Sequence, residues 1–239
     1  MPPLFEEIDS QPSPIGEISL RKRRIPVLGD RDIYEVKLGD EFLMSSMFVE
    51  AEEALSTLGL AAVQGDKLKV VVGGLGLGYT AVAALKDPRI DELLVVEALD
   101  TVIGWHKDEL VPLGKTLNAD PRNRYISGSF FDLATAPSLG FDPNSPGKAL
   151  DAILLDIDHS PTEYLNAANA GFYTTSNLTL MASQLKPGGV FAMWSQNLPE
   201  ANFEALLHTA FASVESHVVS FYNPFQNIDS TNSVYVCKK

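Results

Sequence analysis

The sequence predicts an α/β fold, an open and mostly parallel sheet with helices on both faces. Three observations carry that expectation. From Leu68 onward, short β-branched runs alternate with segments of helical length. The first run passes through a glycine-rich turn directly into a helix, and an acid, Glu97, closes the second run. Leu68-Lys69-Val70-Val71-Val72 ends in three consecutive valines without alternation, as expected of a strand buried on both faces.

The elements follow in order. Residues 1–20 are rich in Pro, Ser and acid and lack a sustained period, which reads as a flexible arm. Arg21-Lys22-Arg23-Arg24 is the strongly basic run, either a solvated strand edge or linker or a contact for an acidic partner. Asp32 to Ser46 alternates and breaks at Gly39-Asp40, a short hairpin. Met47 to Leu60 has helical spacing with Glu50, Glu52 and Glu53 near its start. After Gly65 come a strand at 68–72, a helix at 78–86, a strand at 93–96, a helix at 100–111 and a strand at 124–127. Ala136 to Gly147, rich in Pro, Gly, Ser and Asn, reads as a long loop and the place for disorder. A strand at 150–155, a helix at 172–185, a strand at 190–194 and a helix near 199–212 follow. Strands near 214–222 and 233–237 leave no room for a helix between them, so they pair as an antiparallel hairpin. The chain therefore divides into an arm (1–20), a β-hairpin and helix appendage (21–62) and a main domain (63–239).

Composition narrows the function. Of 239 residues, 45% are hydrophobic and 21% charged, ordinary globular values. Eighteen Lys and Arg against 31 Asp and Glu give a formal charge of −13, which repels phosphate backbones and anionic lipid; no nucleic-acid or membrane partner is expected. The single cysteine, Cys237, excludes an internal disulfide and a Cys-based zinc site, and the four histidines are too scattered to suggest a metal site. No apolar run approaches the roughly 20 residues of a membrane helix, and the N-terminus lacks the layout of a signal peptide, so a cytoplasmic protein is expected.

Gly73-Gly74-Leu75-Gly76-Leu77-Gly78 joins the first strand of the main domain to its first helix. Glycines permit a sharp turn with positive φ and let the backbone approach a ligand. Gly74, Gly76 and Gly78 form G-x-G-x-G, and no register gives the G-x-G-x-x-G of dinucleotide sites. The tighter spacing suits a nucleoside with a sulfonium chain and no pyrophosphate. Glu97 ends the second strand near the offset of about 20 residues at which an acid meets ribose hydroxyls. The alternative is a turn kept for packing with Glu97 merely exposed.

These blocks, with Leu94-Val95-Val96-Glu97, Asp120-Pro121-Arg122, Leu150-Asp151-Ala152-Ile153-Leu154-Leu155-Asp156, Gly171-Phe172-Tyr173 and Leu185-Lys186-Pro187-Gly188-Gly189, resemble the ordered blocks of spermidine synthase-like proteins, from about residue 30 to the C-terminus. The resemblance implies the Rossmann-like class I S-adenosylmethionine-dependent methyltransferase fold, with a seven-stranded, mostly parallel sheet, a C-terminal antiparallel hairpin and a small N-terminal β-hairpin appendage. It implies S-adenosylmethionine or decarboxylated S-adenosylmethionine as co-substrate, no metal, a small-molecule acceptor such as an amine, and a homodimer. The nucleoside site is placed on Gly73, Gly74, Leu75, Gly76, Gly78, Glu97, Ala98, Gly128, Ser129, Phe130 and Asp156. Asp156 matches the family's catalytic aspartate, and Asp158 is taken as a second catalytic acid; the other readings are a carboxylate capping the next turn and a solvated loop acid. His159 beside them is a further polar group at that strand end.

The sequence also departs from the family. The acid that holds the amine of decarboxylated S-adenosylmethionine is replaced by Gly76, flanked by Leu75 and Leu77. Ile157, Asp158 and His159 replace part of an Asp-Ser-Ser-Asp-Pro-like run, Gly128-Ser129 stands for Gly-Asp, and Leu43 stands near the family's N-terminal glutamine. Loss of a charge-assisted contact shifts the expectation slightly towards methyl transfer over aminopropyl transfer. A true polyamine aminopropyltransferase, a non-catalytic nucleoside-binding relative and a nicotinamide oxidoreductase are the rivals. Trp194, Ser195 and Gln196 are either packing or a wall for the acceptor, Tyr164 and Tyr173 a lid, and Trp105 and His106 packing and surface.

Overall fold

The structure, a computed structural model, describes residues 4–26 and 31–239. A four-stranded antiparallel sheet in the order β1-β2-β3-β4 comprises β1 (Phe5–Ser13), β2 (Gly16–Ile25), β3 (Arg31–Leu38) and β4 (Glu41–Ser45). Helix α1 (Glu50–Ala61) leads into the main sheet. Its strands are β5 (Leu68–Gly73), β6 (Ile90–Glu97), β7 (Asn123–Ser127), β8 (Leu150–Leu155), β9 (Leu185–Ser195), β10 (Ser213–Asn223) and β11 (Ile228–Lys238), in the order β10-β11-β9-β8-β5-β6-β7. Strands β5 to β9 pair with one another in parallel, β11 pairs antiparallel with β9, and β10 antiparallel with β11. The helices are α2 (Tyr79–Leu85), α3 (Asp100–Lys107), α4 (Gly114–Ala119), α5 (Phe130–Ala134), α6 (Thr175–Ser183) and α7 (Ala201–Leu207). The seven-stranded sheet and its terminal hairpin are those expected from the sequence.

Successive residues of the central strands serve opposite faces, because side chains alternate across a sheet. Val70, Val72, Leu93, Val95, Ala152 and Leu154 belong to one apolar cluster, under α1 to α4. Val71, Leu94, Val96, Ile153 and Leu155 belong to the other, under α5 to α7. Both clusters are closed to water, which is why these strands carry no polar alternation. Among the described residues no helix is long and apolar enough to cross a membrane.

Four expectations are corrected. The expected arm is ordered instead, residues 5–13 forming β1 and residues 16–20 opening β2, so the appendage is a four-stranded sheet rather than a lone hairpin. The basic run lies on β2, between β1 and β3, and finds its acids inside the fold: Arg21 with Glu7, Lys22 with Glu6, Arg23 with Glu35 and Arg24 with Asp32, at 2.5–3.3 Å. The loop at 136–147 is anchored, since Phe141 is buried at 2% exposure and Asp142 pairs with Arg124 at 2.9 Å. The helix expected over 100–111 stops at Lys107, Glu109 adopts a positive φ of 58°, and α4 follows as a separate short helix.

Besides the apolar packing of Ile18, Leu20, Val36 and Leu38, a polar contact ties the small sheet to α3. The indole N–H of Trp105, 2% exposed on α3, donates to Asp9 Oδ2 at 2.7 Å, and that bond holds the Asp9 carboxyl below its ordinary range. Removing the acceptor strands a buried donor, which costs about 1–3 kcal/mol. Asp9→Ala is expected to lower stability in denaturant unfolding by that amount, with Asp9→Asn less affected; equal stability of all three chains would contradict this.

Candidate active site

Strand order reverses at β5, because β6 and β7 extend to one side of it while the chain returns to pair β8 on the other, and open α/β sheets take their ligands in the crevice beyond the strand ends at such a point. The Asp156 N–H donates to the Gly73 carbonyl at 2.8 Å, and the Gly74 N–H donates to the Val96 carbonyl at 2.9 Å. These bonds bring the ends of β5, β6 and β8 together.

Between β5 and α2 the chain turns through Gly74 at φ 93° and Gly76 at φ 47°. A Cβ at Gly74 would collide with the carbonyl oxygen of Asp156, and one at Gly76 with the sulfur of Met44. Met44 comes from β4, and its Sδ lies 3.1 Å from the Leu77 amide. The small sheet thus lays a thioether over the glycine turn. From behind, fully buried His106 lies with Nε2 2.9 Å from the Gly76 carbonyl. Burial pushes this imidazole down to about 4, so it is neutral, and the carbonyl acceptor assigns its proton to Nε2. His106 therefore holds the loop, and neither it nor Trp105 is a surface residue.

Glu97 is half-buried and turned into the turn, not into bulk water. Its Oε2 accepts the Leu75 N–H at 3.1 Å and its Oε1 the Leu99 N–H at 2.9 Å. Burial raises its proton affinity against the pull of these amides. Each oxygen keeps a second lone pair for an incoming hydroxyl. Ala98 is exposed beside it. At the next strand end the Gly128 N–H donates to the Glu97 carbonyl at 3.0 Å, and Ser129 caps α5 by accepting the Asp132 N–H. Phe130 departs from the expected set. Its ring lies directly under Gly73, where a Cβ would strike it, and packs edge-on against Phe131 and Phe172 and tilted against Phe141 in the core. It supports the turn from below and presents no surface to a ligand, being 2% exposed.

Asp156 is half-buried at the end of β8, its Oδ2 accepting the Thr80 hydroxyl at 2.5 Å. Burial pushes its carboxyl up to about 6, with Thr80 pulling the other way. Asp158 does not join it. It is 1% exposed and accepts the Leu165 N–H, the Asn169 amide and the Tyr173 hydroxyl, each at 2.8 Å. A buried carboxylate held by three donors pins the segment after β8, which corrects the expectation of a second catalytic acid. Tyr173 is likewise a core residue, stacked on Tyr164. His159 Nε2 lies 3.0 Å from Glu41 Oε1, joining this strand end to the β3–β4 turn. Ser195 is fully buried, whereas half-buried Trp194 and exposed Gln196 stand at the end of β9.

One acid was not anticipated. Glu52 lies in the first turn of α1, and its carboxyl is pushed up to about 8, first by burial and then by the charge of Asp156. The route between them is visible: Ser56, one turn further along α1, donates to the Thr80 carbonyl at 2.7 Å, and Thr80 donates to Asp156.

No protein-family model matches this chain, and no curated protein matches it in sequence. Solved structures do match in shape. Spermidine synthase from Thermotoga maritima superposes with a TM-score of 0.69 at 17% identity, over 98% of this chain and 72% of that one. A spermidine synthase in complex with the transition-state analogue AdoDATO gives 0.70 at 18% identity, over 98% and 73%. The fold is spermidine synthase-like. The match spans the small N-terminal sheet as well as the main domain, because it covers nearly the whole chain. Identity this low establishes the architecture, and the chemistry has to be argued from the crevice.

The carboxyl pair makes stability depend on pH. Glu52 ionises near 4.5 in the unfolded chain and near 8 in the fold, so between those values the fold holds a proton that the unfolded chain has released. The contribution is fully present below pH 4.5 and lost as pH rises through about 8. Relative to Glu52→Gln, the wild-type chain is expected to lose a few kcal/mol of unfolding free energy over that window. Parallel pH profiles for the two chains would contradict the coupling.

Proposed function

We propose that this chain is a transferase that moves an alkyl group from a sulfonium nucleoside to a small amine. The observation that carries the reading is the convergence of the glycine turn, Glu97 and Asp156 on one crevice at the switch point. It is supported by the spermidine synthase-like architecture and by the ligand of one neighbour, a transition-state analogue.

The crevice can be tested for fit to the nucleoside from its own donors. Gly74 puts no side chain between the turn and the end of β8, and Glu97 offers lone pairs on both oxygens, as a cis-diol requires. Glu97, oriented by the amides that donate to it, would hold the ribose, and the segment at Gly128 and Ser129 would bound the base. The fit ends at Gly76, where Met44 fills the space a side chain would take. When bound, a sulfonium nucleoside supplies an electrophilic carbon, and the protein's task is alignment and removal of a proton from the acceptor. An amine attacks only when neutral, and Asp156, with a proton affinity near 6, is poised to take that proton at neutral pH. Thr80 fixes Asp156 Oδ2, which leaves Oδ1 for the acceptor.

Aminopropyl transfer from decarboxylated S-adenosylmethionine is the favoured reaction, in keeping with the neighbours. Methyl transfer from S-adenosylmethionine is the second reading, favoured by Gly76 and its Met44 cover in place of an acid.

A ligand that binds the native state alone raises the melting temperature. Decarboxylated S-adenosylmethionine and methylthioadenosine are expected to shift the melting curve, NAD(H) is not, and Glu97→Ala is expected to abolish the shift. Asp156→Asn should retain the shift and lose turnover by at least about 100-fold. Unchanged melting with every nucleoside would overturn the proposal, and an active Asp156→Asn would remove Asp156 from the mechanism.

A further inference from the structure

The acid–base pattern around the sheet isolates one pair of carboxyls. Glu92 is paired with Lys69 and Arg124, Asp142 with Arg124, Asp151 with Lys186, Asp87 with Arg89 and Asp120 with Arg122. Among the described residues, neither Glu52 nor Asp156 has a cationic partner, although both are partly withdrawn from water. Like charges held together at a half-buried site are relieved by a shared proton or by a cation from outside.

Their placement is set by packing. Residues four apart lie on one face of a helix, so Glu52 stands one turn above Ser56 on the side of α1 that meets α2. The Ser56 hydroxyl is bonded to the Thr80 carbonyl and the Thr80 hydroxyl to Asp156, so the face of α1 that carries Glu52 is turned towards the end of β8. On the glycine-turn side, Met44 lies against Gly76 and presents a thioether without charge. Among the described residues, the α1–β8 side therefore carries two carboxyls with no cation between them.

We propose that Glu52 is a specificity-determining residue of this crevice, and that Glu52 and Asp156 together take one alkylammonium nitrogen of the acceptor. The proposal rests on the reading of the crevice given above and adds a residue and a charge requirement to it. In the free protein the two carboxyls share a proton, in line with their raised proton affinities. When the ammonium enters, that proton leaves to solvent and the pair, now dianionic, faces the cation. The other charged groups around Glu52 do not replace this role. Glu50 and Glu53 are on its own helix, with Glu53 bound to Lys86 at the C-terminal end of α2. Tyr79 of α2 is half-buried with Arg31 near it, and β10 carries Glu215 and His217, 3.9 Å apart.

The test is calorimetric titration of 1,4-diaminobutane into the full chain at pH 7.5, with methylthioadenosine present and again without it, in two buffers of different ionisation enthalpy. The expected result is binding with release of close to one proton. Glu52→Gln should bind the diamine at least about 10-fold more weakly and release no proton, while its affinity for methylthioadenosine is unchanged. Glu52→Asp should recover part of the diamine affinity, and 1,4-butanediol, which lacks the charge, should not bind. Equal diamine affinity in Glu52→Gln, no proton release from the wild-type chain, or no diamine binding at all would overturn the proposal. Failure of methylthioadenosine to bind would break the reading of the glycine turn instead, and the titration without nucleoside would still judge the carboxyl pair.

Discussion

The hydrogen bond from the Asp156 amide to the Gly73 carbonyl, 2.8 Å long, is the constraint on which the crevice depends. It closes the β5–β8 pairing at the point where the chain, having built outward through β6 and β7, returns to the other side of β5. The turn after β5 then has nowhere to go but over the end of β8. It passes so close that residue 74 cannot carry a side chain against the Asp156 carbonyl. Glycine spacing, the place of Asp156 and the reach of Glu97 to the turn amides all follow from that one adjacency.

The central sheet was legible in the sequence because its strands answer a demand that leaves a plain mark. Val70, Val71 and Val72 are all at 0% exposure, and burial on both faces admits no polar residue. The β3–β4 hairpin was legible from Gly39, which takes a φ of 56° at the turn. Strand β1 was not, because most of its residues are exposed or half-exposed, and it is held by ion pairs to β2 and by Trp105, a residue remote in sequence. Its composition, rich in Pro, Ser and acid, is that of an unstructured segment, and tertiary partners override it.

The site divides along the same line. The glycine turn and Glu97 are local features of one strand–turn–helix–strand run, and the sequence displays them in order. Asp158 stands in the sequence like a catalytic acid, yet its donors are supplied by Leu165, Asn169 and Tyr173 further along the chain. Phe130 follows Gly128 and Ser129 where a base-contacting residue is expected, but its apolar ring is drawn under the bare Cα of Gly73. Glu52 was hidden for the opposite reason. Acids in the first turn of a helix are ordinarily solvated partners of the helix dipole, and the packing of α1 on α2 is what sets this one beside Asp156, far away in sequence. Met44, an apolar residue in a strand, gave no signal of its place over the turn; a glycine at position 76 with no room for a side chain was its one trace.

The crevice is thus an amide-lined turn with an acid on one side, an uncompensated carboxyl pair on the other and a thioether between them and the small sheet. A crystal structure of the chain with methylthioadenosine tests the central claim most directly. The account predicts the nucleoside in the glycine turn with both ribose hydroxyls about 2.5–3.0 Å from the Glu97 carboxylate. A nucleoside bound elsewhere, or a ribose that leaves Glu97 untouched, would contradict it.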